Sequence, residues 1–302
     1  MKEFVEVIVV IPVGPDTNFG FLTDTIESYT FYTRSSYQII LADDSHQGIG
    51  QEIQKYYPEV DVVLTKKPLG GWAGLYINLA SAFRYALENY RFRALLKLDT
   101  DALIIGLRPE LEGLELFEKD PLIGIAGQYP MDYHGNPWDI AWPRDRVLNA
   151  STSWRYLRRP YANWFLRRLY RKALVNGYKA GESVFGGAYI INVNCLAALM
   201  KEGLLPDYRL ESVNLGEDHL FALMIKSIGF KLGSLSSVGQ SFALAWKGLP
   251  ASPQQLLDEG RKIIHSTRYW ESMKEEDIRA WFKEIRKQKH TREIKYNQRQ
   301  TS

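Results

Sequence analysis

Two pairs of carboxylates stand where this chain can do chemistry. Leu98-Asp99-Thr100-Asp101 follows the apolar stretch Ala94-Leu95-Leu96-Lys97 and precedes Ala102-Leu103-Ile104-Ile105. An Asp-x-Asp between apolar runs sets two carboxylates at the end of a buried strand. A hard divalent cation such as Mg²⁺ or Mn²⁺ takes oxygen ligands there and leaves positions for phosphate oxygens. The pattern therefore reads as a site for a metal-bound diphosphate, against the alternative of a solvated acidic turn. The second pair lies in Gly216-Glu217-Asp218-His219, which opens an apolar helical run from Leu220 to Ile228. Carboxylates at that place either cap the helix or act as acids and bases. The positive end of the helix dipole is expected to lower their pKa, so a base here is pre-ionised.

These residues need elements to hold them. Val5 to Val13 is a continuous apolar run ending in Pro12-Val13-Gly14-Pro15, the pattern of a buried parallel strand and its exit loop. Strand patterns recur at Tyr37–Ala42, Val60–Leu64 and Ala94–Leu98. Helical spacing lies between them at 18–33, 51–57 and 72–90, the last with Leu75, Leu79, Ala82, Phe83 and Ala86 on one face. Strands alternating with helices predict an α/β fold with a mostly parallel, Rossmann-like central sheet. Ligands in such sheets bind beyond the carboxyl ends of the strands, where Asp43-Asp44 and Asp99-Asp101 both fall. The second half is less regular. Strands are expected at 121–127, 182–192, 230–235 and 241–246, and helices at 196–202, 220–228 and 275–289, with a smaller mixed C-terminal sheet beside the central one. Residues 128–160 read as a long aromatic loop, and the last dozen as frayed. With no clean linker, the expectation is a single domain over 1–302: a nucleotide-binding half (1–105), an acceptor half (106–250) and a C-terminal extension (251–302).

Composition narrows the function classes. The 302 residues are 45% hydrophobic and 24% charged, ordinary for a globular enzyme. A net charge of +3 gives no argument for nucleic acid. The one cysteine, Cys195, excludes an intrachain disulfide framework and a multi-cysteine zinc site. No apolar run approaches the ~20 residues that span a bilayer, and a cytoplasmic enzyme is expected.

Taken in order, five segments resemble the nucleotide-sugar-dependent glycosyltransferases of the GT-A fold, nearest to the inverting family 2 type. They are Val7-Ile8-Val9-Val10-Ile11-Pro12-Val13, Ala42-Asp43-Asp44-Ser45, Leu98-Asp99-Thr100-Asp101, Phe185-Gly186-Gly187-Ala188 and Gly216-Glu217-Asp218-His219. The resemblance implies a UDP-sugar donor held near Pro12, Val13, Gly14, Asp43, Asp44 and Gly71, with a carboxylate able to accept from a uracil imide or ribose hydroxyls. It implies a Mn²⁺ or Mg²⁺ ion on Asp101, with Asp99 on the ion or the ribose, and Gly186 and Gly187 beside the donor sugar. His265 resembles a C-terminal metal ligand, with His219 as its rival. Asp218 is implied as the base of a single inverting displacement, and Glu217 as a binder of hydroxyls. Asp43-Asp44-Ser45 has a second reading as an Asx-turn capping the next helix, and the Gly pair as a strand bulge. The segment from Gly70-Gly71 to Asn78 departs from the family, lacking the Ala-Arg-Asn often found there. The processive Gln-x-x-Arg-Trp signature is absent too.

The stretch Trp154 to Lys179 carries eight Arg or Lys and no acid. As a helix over 163–175 it sets Phe165, Leu166, Leu169, Tyr170, Ala173 and Leu174 on one face and Arg167, Arg168, Arg171 and Lys172 on the other. That pattern fits either a peripheral membrane contact near a glycan or lipid-linked acceptor, or a core-packed helix with a solvated basic face. Two other classes use related features. A haloacid-type phosphatase also ends a strand in Asp-x-Asp, but on its opening strand. A non-catalytic carbohydrate-binding or scaffold protein could share the whole frame.

Overall fold

The computed structural model describes residues 2–152, 154, 157, 160–237 and 239–300, side chains from 292 onward excepted. Ten strands and ten helices carry the architecture. The strands are β1 (Val7–Val13), β2 (Tyr37–Asp43), β3 (Asp61–Leu64), β4 (Ala94–Leu98), β5 (Leu103–Ile104), β6 (Ile123–Gly127), β7 (Ala188–Asn192), β8 (Lys231–Ser234), β9 (Phe242–Leu244) and β10 (Ile263–His265). The helices are α1 (Phe19–Tyr32), α2 (Ile49–Tyr56), α3 (Ala73–Asn89), α4 (Leu111–Lys119), α5 (Ala141–Ser151), α6 (Pro160–Val175), α7 (Val193–Lys201), α8 (Glu217–Ser227), α9 (Pro253–Asp258) and α10 (Glu275–Gln300). The central sheet runs β8-β6-β7-β4-β1-β2-β3. Strand β7 is antiparallel to both neighbours and the other pairs are parallel. A smaller mixed sheet, β9-β10-β5, stands beside it. This is the GT-A arrangement expected from the sequence.

The period-2 alternation of strand side chains divides the core into two layers. Val7, Val9, Ile11 and Val13 face α1, with Leu96 and Leu98 of β4. Ile8 and Val10 face α3 and α8, with Leu95. Lys97 occupies the next position on that second face. Its register partner on β7 is Tyr189, and its ammonium lies 5.4 Å from the centre of that ring. A fully buried lysine in a strand needs partners for its charge, and these are the carboxylates of Asp99 and Glu217.

Several expectations need correction. The predicted loop 128–160 contains α5. Pro143 sits in that helix's first turn, where its missing N–H costs nothing, and only Pro143, Val147 and Ser151 are buried, too narrow a stripe to read as periodic. The strand expected over 182–192 begins only at Ala188, because Gly186-Gly187 belongs to the site loop. In α6 the residues Phe165, Leu166, Leu169, Tyr170 and Ala173 are buried against the core, so that face is not open to a membrane. Leu174, assigned to the same face, is exposed. Arg168, Arg171 and Lys172 are solvated, and Arg155, Arg158 and Arg159 lie outside the described residues. Helix α10 runs on past Lys289, through most of the stretch expected to fray; residues 301–302 lie outside the described ones. Among the described residues no helix is long and apolar enough to cross a membrane.

Candidate active site and metal centre

The turn after β4 is fixed from several sides. Ala102 donates to the Asp99 carbonyl at 3.0 Å, and the Asp99 amide donates to the Gly187 carbonyl at 3.0 Å. The Thr100 carbonyl accepts from Arg279 Nη2 of α10 (2.7 Å) and Thr25 Oγ1 of α1 (3.1 Å). The Asp101 carbonyl accepts from the Thr267 amide (2.9 Å) and hydroxyl (3.0 Å). With the backbone so held, both carboxylates point toward the end of β10, where His265 sits.

The Ala245 carbonyl can only accept, so His265 Nδ1, 3.0 Å away, carries the proton of that bond. This presents Nε2 to the carboxylates, 3.1 Å from Asp101 Oδ1 and 3.8 Å from Asp99 Oδ2. One ligand atom each from Asp99, Asp101 and His265 falls within 4.8 Å of the others. Two hard carboxylate oxygens and an imidazole nitrogen, the latter oriented by a backbone carbonyl, form a donor set suited to Mn²⁺ or Mg²⁺. Asp101 Oδ2 is buried and accepts no well-aligned hydrogen bond, although Arg268 Nε lies 2.9 Å from it. That oxygen, paired in charge but not in hydrogen bonding, has a lone pair left to offer a divalent ion. Burial alone would raise the Asp101 pKa. The His265 hydrogen bond, with the His265 and Arg268 charges, outweighs burial and holds Asp101 below the usual carboxylate range. Of the two histidine candidates it is His265 that joins the pair. Burial lowers the His219 pKa to about 4, its Nδ1 has no partner, and its nearest acid is Asp218 at 3.9 Å.

Lys97 links this triad to the second carboxylate pair. Its Nζ donates to Asp99 Oδ1 at 2.6 Å and to the Gly186 carbonyl, and lies 3.6 Å from Glu217 Oε1. Burial pushes the ammonium pKa down, but Asp99 and Glu217 outweigh it and keep it raised. Glu217 and Asp218 open α8 as expected, yet their pKa values move opposite to the dipole expectation. Burial raises Glu217 to about 7 against the pull of Lys97, with Asp218 and Asp99 adding to the rise. Burial likewise raises Asp218 to about 6, against the His219 amide, which donates to its Oδ1 at 2.8 Å. Desolvation and like charge exceed the modest worth of a helix terminus.

The two glycines serve these side chains. A Cβ at Gly187 would lie 2.5 Å from the His265 ring, and one at Gly186 would lie 2.9 Å from Glu217 Oε1. Their missing side chains make room for the protein's own imidazole and carboxylate. A cavity of about 590 Å³ opens here, walled by Asp99, Gly186, Gly187, Glu217, Asp218 and His265. Trp138, stacked on Phe185 at 5.1 Å, adds an aromatic wall, and Phe185 in turn meets the His265 ring edge-on.

The other sequence candidates lie apart from this wall. Asp43 and Asp44 are buried at the end of β2. Asp43 accepts from the Ser45 and Gly50 amides at 2.7 and 2.9 Å, the helix-capping arrangement. Asp44 accepts from Thr65 Oγ1 and from the Leu69 and Gly70 amides at 2.6–3.0 Å, tying down the loop before α3. Pro12 and Val13 end β1, whose Val13 carbonyl receives the Asp44 amide at 2.8 Å. A Cβ at Gly14 or Gly71 would meet nothing within 4 Å, so both border open space. Sequence reasoning assigned no role to Arg268 or to the tryptophans of the cavity. Arg268 lay in view, three residues beyond His265. The tryptophans were hidden among 39 aromatics scattered along the chain.

No protein-family model and no curated protein matches the chain. Among solved structures it is similar to the mannosyltransferase PcManGT from Pyrobaculum calidifontis in complex with GDP-Man and Mn²⁺, at 13% identity and a TM-score of 0.43, covering 79% of this chain and 57% of that one. It is also similar to S. aureus TarS 1-349 in complex with UDP, at 16% identity and a TM-score of 0.41, covering 77% of this chain and 58% of that one. A third is the bifunctional glycosyltransferase WbbM, at 13% identity and a TM-score of 0.44, covering 91% of this chain. The chain spans 47% of that structure's length. Likeness at these TM-scores carries no argument: the fold rests on the strand order and the chemistry on the site residues.

Proposed function

We propose that this chain is a metal-dependent glycosyltransferase that moves a sugar from a nucleotide-diphosphate donor, UDP-linked, to an acceptor hydroxyl with inversion. The acceptor would be a glycan, free or lipid-linked. One observation carries the reading: Asp99 and His265 of the metal triad and the carboxylates of Glu217 and Asp218 wall the same cavity, at the carboxyl end of β4. Glycosyl transfer needs that combination, a charge sink for the leaving diphosphate and a base for the incoming hydroxyl. A bound Mn²⁺ or Mg²⁺ would neutralise charge on the departing diphosphate. Asp99, Asp101 and His265 would hold it, and Arg268 adds a guanidinium suited to phosphate oxygens. Asp218 takes the acceptor proton. Its Oδ1 is bound to its own helix, its side chain is 19% exposed, and a pKa near 6 leaves it ionised yet basic at neutral pH. Glu217, held toward Lys97, orients hydroxyls. The uridine would lie at the ends of β1 and β2, where Asp43 and Asp44 shape the loops.

Asp218→Asn preserves the shape and removes the basicity. It should lower kcat by ~10²–10⁴, the usual worth of a general base, while calorimetry finds donor affinity unchanged. Proton NMR of the wild-type product should show the anomeric configuration opposite to the donor's. Near-normal turnover in the variant, or retained configuration, would refute the mechanism.

A further inference from the structure

The cavity mouth carries aromatic surface that the metal and the carboxylates do not use. Trp72 precedes α3 and Trp142 lies in the first turn of α5. Their rings lie 5.4 Å apart at 37°, and both line the cavity. Each keeps much of its surface open, 50% for Trp72 and 44% for Trp142. Arg146 covers the pair from one side, 4.9 Å from the Trp142 ring and 6.0 Å from that of Trp72. Trp142 lies 6.5 Å from His219, the residue after the proposed base, so this surface adjoins the acceptor side. Asp139 adds a further acceptor to the wall.

Flat indole faces beside carboxylates suit one kind of molecule. A sugar ring offers an apolar C–H face for stacking and hydroxyls at its edge that both donate and accept. A lipid chain would leave the carboxylates without partners, and an anionic sugar, though it would meet Arg146 at the platform, would face the three acids Asp139, Glu217 and Asp218 beyond it. We propose that Trp72 and Trp142 form a platform for a ring of a neutral acceptor oligosaccharide, which aims its terminal hydroxyl at Asp218. This rests on the glycosyltransferase reading and names the acceptor class for it.

Calorimetry of the whole chain against neutral trisaccharides of glucose, galactose, mannose and N-acetylglucosamine, without donor, tests the platform. At least one should bind. Trp142→Ala and Trp72→Ala should each weaken it about tenfold or more, and Trp142→Phe, which keeps a flat face, should return affinity to within about threefold of wild type. The platform is overturned if no trisaccharide binds, or if both Ala variants bind it as wild type does. It is also overturned if those variants lose UDP rather than saccharide, which would make the surface a nucleobase stack. Saccharide binding through Trp142 without transfer from any nucleotide sugar would uphold the platform and overturn the enzymatic reading. Transfer whose acceptor KM is unmoved in Trp142→Ala would do the reverse.

Discussion

At the scale of single residues, the site turns on how much charge one small volume can hold. Asp99, Glu217 and Asp218 crowd around one buried cation, Lys97, so burial and mutual repulsion decide their protonation. Glu217 has a folded pKa of about 7 against an ordinary 4.5. Between those pH values the folded chain keeps a proton that the unfolded chain releases, so stability falls as pH rises through that window. Above about pH 7 the full cost of the buried charge is present. In metal-free protein, Glu217→Gln should therefore raise the melting temperature at pH 8 and leave it little changed near pH 4.5, read by calorimetry. A lower melting temperature at pH 8 would mean that the Lys97 attraction exceeds the burial cost. The same crowding predicts an acid limb in kcat/KM near pH 6 to 7, belonging to the Glu217–Asp218 pair rather than to either residue. A limb near pH 4, where an unperturbed aspartate titrates, would contradict the burial-raised pKa of the pair. The identities of these acids were legible in the sequence. Their pKa values were not, because a helix start is visible in sequence and its burial under β7 and Lys97 is not. Lys97 itself was a readable signal, since a lone cation in an apolar strand must find a counter-charge.

At the scale of elements, the Asp-x-Asp turn depends on a helix nearly two hundred residues away. Arg279 of α10 donates to the Thr100 carbonyl, to Asp24 Oδ2 at 3.1 Å and to Glu275 at 2.9 Å. Arg286 makes a second bond to Asp24, and Thr267 joins Glu275 to the Asp101 carbonyl. Arg279→Lys keeps the charge beside Asp24 but loses the forked donor that reaches Thr100. Such supporting bonds are worth about 10–100-fold in metal affinity, so Mn²⁺ binding followed by electron paramagnetic resonance should weaken by about that factor. Unchanged Mn²⁺ affinity in a folded variant would show that the turn holds itself. The apolar stripe of Ile278, Trp281, Phe282 and Ile285 made α10 legible, as the alternating pattern did for α1 and α3. Strands β5 and β10, of two and three residues, are too short to display a period. The smaller mixed C-terminal sheet was expected and is present, but the two strands that bring His265 to the acids show no pattern of their own.

At the scale of the whole molecule, the parallel half of the sheet was readable from strands alternating with helices. The order across β7 was not, because one reversed strand changes no local pattern. The cavity was least legible of all. Its walls come from the starts of α3, α5 and α8 and from loops near residues 186, 246 and 265, which no local motif joins. The proposed transfer requires that convergence of the Asp99–Asp101–His265 cluster and the Glu217–Asp218 pair on one volume, so it belongs to the assembled chain rather than to any segment. The most direct test is turnover of a panel of UDP-, GDP- and dTDP-sugars, with Mn²⁺ or excess EDTA, by wild type and by Asp101→Asn. Metal-dependent release of UDP from a UDP-sugar by wild type alone, with both proteins folded, is the result predicted. Full activity in EDTA, equal activity in the variant, or no cleavage of any nucleotide sugar would contradict it.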